Sequence, residues 1–149
     1  MKVKIGKFPN HYFWHNWLYS WFGYSPSQSI KVKIDKWDTW SMDHTLSHII
    51  LPMLIQLKAT QHGHPANLTE KGWNDILDEM IWAFEQKCRD NWESDFYEYR
   101  EVGPEEDKEG DSLFGLKLVW EDRKGLKAHH ERMTNGFKLF GKYYEGLWD

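Results

Sequence analysis

Between Leu46 and Leu57 the apolar residues Leu46, Ile49, Ile50, Met53, Leu54 and Leu57 recur at intervals of three and four. Only a helix gathers that spacing onto one face. Ser41 is placed to cap this helix, and Asp43 falls in its first turn, where the helix dipole favours negative charge. The other side carries His44, His48, Leu51 and Ile55, so neither side reads as solvated. The pattern predicts a central helix covered on both faces, its polar beginning turned toward an enclosed hollow. Pro52 has no amide to bind the carbonyl of His48, which predicts a bend beside the histidines.

The remaining segments are read around that helix. Val3 and Ile5 alternate with Lys2, Lys4 and Lys7, and Ile30, Val32 and Ile34 alternate with Lys31 and Lys33. This period of two predicts a pair of half-buried strands with lysine-guarded edges. Between them, residues 10–22 hold Tyr12, Phe13, Trp14, Trp17, Leu18, Trp21 and Phe22, a helix apolar nearly all round and expected at an interface. A third helix runs from about Glu70 to Lys87 on Trp73, Ile76, Leu77, Met80, Ile81 and Phe84, with Thr69 as its cap. Phe96, Tyr97 and Tyr99 form a short strand that pairs with Leu116, Leu118 and Trp120 across an acidic stretch, residues 100–112, read as a loop or insertion. The last helix, from about Arg123 to Gly146, carries the stripe His130, Met133, Phe137, Phe140 and Tyr144. In it Gly136 and Gly141 permit close approach of a neighbour. The hydrophobic end at Leu147 and Trp148 is expected to dock. The expected fold is a helix-rich α+β single domain, residues 1–149, with three long helices, an aromatic N-terminal helix and small antiparallel strand pairings.

Composition narrows the function classes. Ten Trp, seven Tyr and eight Phe among 149 residues supply stacking surface far beyond what a core of this size requires, which favours a binding role. A formal charge of −4 gives no global attraction to nucleic acid or anionic membrane, and the basic residues are scattered along the sequence, so neither is an expected partner. No run approaches the ~20 apolar residues of a membrane span. The single cysteine, Cys88, excludes an internal disulfide and fits a reducing compartment, although Lys87 and Arg89 beside it would favour a thiolate. The chain reads as cytoplasmic.

No motif fixes a reaction. His44 and His48, four apart, have the spacing at which two imidazoles share a metal, with Asp43, His62, His64, Asp78, Glu79, His129, His130 and Glu131 as further donors if the fold brings them near. A His-Asp phosphohydrolase core would need a His-Asp dipeptide, whereas this chain has the reversed Asp43-His44. Two packed or hydrogen-bonded histidines are therefore preferred, and no metal or cofactor is assigned. With no phosphate loop, a nucleotide would be held by aromatic stacking and cationic contacts to phosphate. Trp37, Trp40, Asp43, His44, His48, Trp82 and Arg132 are the candidate ligand-binding residues.

The segments Trp37-Asp38-Thr39-Trp40-Ser41-Met42-Asp43-His44-Thr45-Leu46, Leu77-Asp78-Glu79-Met80-Ile81-Trp82-Ala83-Phe84-Glu85 and Phe140-Gly141-Lys142-Tyr143-Tyr144-Glu145-Gly146-Leu147-Trp148-Asp149 resemble a family of small proteins encoded by tailed bacteriophages. The resemblance covers most of the chain from Ile30 onward; the aromatic N-terminal segment and the acidic loop match less well. It implies a viral origin, action in the host cytoplasm and a part in host takeover or immune evasion, and it carries no reaction or catalytic residue. The leading expectation is a non-enzymatic protein that sequesters a small nucleotide-like ligand or a host factor, possible also between subunits of a homo-oligomer. The alternatives are a metal-dependent hydrolase using Asp43, His44 and His48, and a virion-assembly or partner-binding module using the aromatics of residues 12–22.

Overall fold

The computed structural model describes residues 1–6, 13–23, 27–103 and 115–148, without the side chains of Phe13, His15 and Asn16. It is a helix-rich α+β structure with three long helices, a shorter aromatic helix and two antiparallel strand pairs. The chain divides into two compact units, Met1–Met42 and Asp43–Asp149.

In the first unit β1 (Lys2–Ile5) pairs with β2 (Ile30–Lys33) in the register Lys2 to Lys33, Val3 to Val32, Lys4 to Lys31 and Ile5 to Ile30. The amide of Gly6 extends the ladder to the Ser29 carbonyl at 2.8 Å. Helix α1 (Phe13–Phe22) ends at Gly23, which takes a left-handed φ of 65° and donates its amide to the Tyr19 carbonyl. Glycine adopts that conformation without a Cβ penalty. The expected covering of α1 does not come from this unit: Trp14, Trp17, Trp21 and Phe22 are all exposed. A 3-10 turn, Lys36–Thr39, closes the unit, capped by Asp35 and Asp38 in a reciprocal capping box.

The second unit holds the hydrophobic core, and α3 (Glu70–Cys88) is its centre. Trp73, Leu77, Met80, Ala83 and Phe84 recur along one stripe and are buried; each large side chain contributes about 1.5–3 kcal/mol by burial. Thr69 caps the helix through its Oγ, which accepts the Gly72 amide at 3.1 Å. On one side α2 (Met42–Thr60) runs antiparallel to α3. Asp43 meets Lys87 at 2.6 Å, Gln61 meets Asn74 at 2.8 Å, and Lys58 pairs with Asp78 between them. On the other side lies α4 (Arg123–Lys142), capped by Asp122 and also antiparallel, with Trp73 against Tyr143 and Phe84 against Phe137 and Phe140. A Cβ on Gly136 would lie 2.4 Å from the Ala83 Cβ and 2.7 Å from the Glu79 carbonyl oxygen, so α3 and α4 meet almost backbone to backbone. Gly141 has nothing within 4 Å of an added Cβ and serves no such approach.

The expectation of an α2 covered on both faces is corrected. Leu54 and Ser47 are buried and Ile50, Leu51 and Leu57 are half-buried against the core, while Leu46, Met53 and Ile55 are exposed. Apolar residues distributed all round a helix cannot all meet a neighbour that flanks it on one side. Pro52 lies within a continuous helical segment. The second strand pair, β3 (Tyr97–Glu101) and β4 (Leu116–Glu121), forms as expected, with an irregularity between Glu98 and Tyr99. Of the expected acidic loop, Arg100 to Gly103 is described and residues 104–112 lie outside the described residues. The final helix stops at Lys142, earlier than expected, and a short 3-10 turn (Tyr144–Gly146) carries Leu147 onto the core while Trp148 remains exposed.

Candidate functional site

The seven residues expected to bind ligand are distributed over three places. Trp37 and Trp40 belong to the first unit, in and just after the 3-10 turn, with ring centroids 6.4 Å apart, tilted by 52°, and 67% and 83% exposed. Lys36 lies over the Trp37 ring at 5.0 Å, a cation–π contact. The carboxylates nearby are already engaged. Asp35 accepts the Trp37 amide, while Asp38 accepts the Asp35 amide and the Met1 ammonium, the last at 2.5 Å. That bonding to the N-terminal ammonium holds the Asp38 carboxyl below the usual aspartate range.

Asp43, His44 and His48 form a second group at the start of α2. Asp43 is bound to Lys87, which lowers its pKa. His44 Nδ1 lies 3.1 Å from the Lys87 carbonyl. A carbonyl only accepts, so Nδ1 carries a proton, and in the neutral ring Nε2 then accepts from His48 Nε2 at 3.1 Å. The pair is thus hydrogen-bonded edge to face, with the Asp90 carboxylate 3.8 Å from His44 Nε2. Among the described residues no three His, Cys, Asp or Glu side chains converge as a metal-holding group. His48 is exposed and His44 half-exposed, which corrects the expected enclosed hollow beside them.

Trp82 and Arg132, the third group, do meet. The Arg132 guanidinium lies 3.8 Å from the Trp82 ring centroid and forks onto Glu79 with bonds of 2.8 and 3.0 Å. Its charge is neutralised within the fold, and the indole face is occupied, so this pair joins α3 to α4 and does not reach outward as a phosphate clamp. The same indole leads into an aromatic cluster around His129, a residue the sequence offers only as a further metal donor. The His129 ring packs edge-on to Trp82 at 4.9 Å, stacks within 8° of parallel on Trp92 at 4.8 Å and touches Phe96 at 5.1 Å. Burial, followed by the His130 charge, lowers the His129 pKa, and its Nε2 is buried without a hydrogen-bond partner among the described residues. Cys88 also departs from expectation: burial, then the Glu85 charge, raises its pKa, so the neighbouring cations do not make a thiolate.

A shallow depression of about 540 Å³ runs along one face of α4, lined by Lys127, His130, Glu131, Thr134, Asn135 and Lys138; it contains none of the expected residues. No helix among the described residues is long and apolar enough to cross a membrane. Comparison of the chain with protein families, with curated proteins and with solved structures gave no match.

Proposed function

We propose that this is a non-catalytic binding protein, encoded by a tailed bacteriophage and acting in the host cytoplasm, that sequesters a nucleotide-like ligand on the aromatic surface of its first unit. The observation that carries the reading is the Trp37–Trp40 pair: two large aromatic rings, most of their surface in solvent, beside a lysine and beside carboxylates that are already bonded. Rings left exposed in this way pay a solvation cost that stacking on a base relieves. Of the other expected ligand groups, Asp43 and Arg132 are each paired within the second unit. A part in host takeover or immune evasion is proposed on the phage resemblance alone.

The test is quenching of tryptophan fluorescence, with thermal shift, against nucleoside phosphates, cyclic nucleotides and ADP-ribose-type compounds. Saturable quenching with a raised midpoint, both lost in a folded Trp40→Ala variant, is the expected result. No response to any nucleotide-bearing probe would remove the reading. The exposed stripe Trp14, Trp17, Trp21 and Phe22 on α1 supports a second reading, a partner-binding or assembly module. Its test is light scattering of the wild type and of Trp17→Ser with Trp21→Ser, where loss of self-association in the variant is expected.

A further inference from the structure

We infer that the first unit takes single-stranded nucleic acid, through a lysine face on the β1–β2 ribbon that continues into the Trp37–Trp40 pair. The inference rests on the proposed nucleotide-binding role and replaces the small ligand with a polymer. Lys2 stands opposite Lys33 and Lys4 opposite Lys31. Directly opposed residues of an antiparallel pair share a face, and residues two apart on one strand share it too. All four lysines therefore project from one side of the ribbon, and Val3, Ile5, Ile30 and Val32 from the other. Like charges directly opposed destabilise a ribbon, and among the described residues none of the four lysines has an ion pair to relieve it.

The surrounding charge reinforces this face. Residues 1–42 hold six lysines, two aspartates and no other acid or arginine, a formal +4, whereas residues 43–149 carry −8. The two aspartates are consumed by the capping box and the Met1 ammonium. That last bond ties the Lys2–Lys33 end of the ribbon to the turn bearing Lys36, Trp37 and Trp40. Cations and open indoles thus meet at one end of the unit. Lysines two residues apart on a strand are about 6.7 Å apart, close to twice the ~3.4 Å charge spacing of a stacked strand.

A row of cations on an open surface matches a repeating polyanion, whereas a mononucleotide calls for convergent groups in a pocket. Exposed indoles select unpaired bases, because duplex bases have no free face. A flat anionic bilayer fits less well, since the lysines and the apolar ribbon residues point to opposite sides.

Binding of a fluorescein-labelled deoxythymidine oligomer of about 20 nucleotides to the full chain, followed by anisotropy, tests this. The expected slope of log affinity against log salt is about −3, corresponding to about four phosphates neutralised. Lys4→Glu with Lys31→Glu, both exposed and outside the core, is expected to weaken binding at least tenfold and flatten the slope, with the thermal midpoint unchanged or raised. Trp40→Ala is expected to weaken it at least fivefold while keeping the slope. No binding at about 50 mM salt overturns the inference, as does binding unaffected by the lysine reversals. Equally, a fall of bound oligomer caused by phosphatidylserine vesicles but not by unlabelled oligomer would assign the face to a membrane. If thymidine monophosphate binds as tightly as the oligomer, the polymer inference falls while the nucleotide-binding reading stands.

Discussion

Gly136→Ala is the sharpest probe of the α3–α4 contact. The added methyl carbon would stand 2.4 Å from the Ala83 Cβ and 2.7 Å from the Glu79 carbonyl oxygen, against ordinary carbon separations of about 3.5–4.0 Å. Neither obstacle is the end of a flexible side chain. The helices must part by about 1 Å, which loosens the Phe84 contacts with Phe137 and Phe140 and the burial of Met80 and Met133. Overpacking of this kind costs about 1–3 kcal/mol, and the upper end applies where backbone is struck. Alanine recovers about 1 kcal/mol through helix propensity. The expected net loss is about 2 kcal/mol, or a midpoint lowered by about 4–8 °C for a chain of this size. Urea and thermal unfolding followed by circular dichroism measure it. Gly141→Ala supplies the control, because open space surrounds that position and the same propensity gain of up to about 1 kcal/mol acts alone. A Gly136→Ala protein as stable as Gly141→Ala would refute the reasoning, since it would show that the two helices do not approach as described.

Three further perturbations bear on the core and the aromatic cluster. Trp73→Ala, at a side chain 1% exposed, should cost about 3–5 kcal/mol, read as a shift in urea midpoint with an unchanged slope. His129 has a folded pKa below its unfolded value of about 6.5, so the unfolded chain binds the proton more readily. Its contribution is therefore fully present above pH ~6.5 and lost as pH falls from there toward the folded pKa. His129→Phe should make urea stability less dependent on pH between about 7.5 and 5.5 than in the wild type. Arg132→Lys keeps the charge but loses the fork onto Glu79 and the stacking on Trp82, at a cost of about 1 kcal/mol for this partly exposed pair. A double-mutant cycle with Glu79→Gln should place most of that cost in their coupling.

The elements were legible because each carries its own period. The alternation of Val3, Ile5, Ile30 and Val32 with lysine marked the first strand pair, and Thr69 with the Trp73, Leu77, Met80 and Phe84 stripe marked α3. What periodicity does not hold is which element stands in the middle. The α2 segment is the more apolar, yet α3 is central because its apolar residues form one continuous stripe and Ala83 lets Gly136 come close. The site was legible in part. Trp82 and Arg132 do meet, but Glu79 as the partner of that arginine is a long-range fact that no local pattern encodes. His129 is readable only as a further metal donor, because the aromatic rings around it come from α3 and the turn after it, far from α4 in the chain. The lysine face was missed because charges spread along a sequence are gathered only by strand register.

The three long helices pack in the order in which they are made, each against the next. The α3–α4 contacts nonetheless close long stretches of chain, 53 residues between Glu79 and Arg132, the kind of topology that slows folding. On the ribosome α2 and α3 can find each other first, but the Phe84 side of α3 stays bare until Phe137 and Phe140 emerge. Nascent chains halted before that point will be the ones most in need of a chaperone.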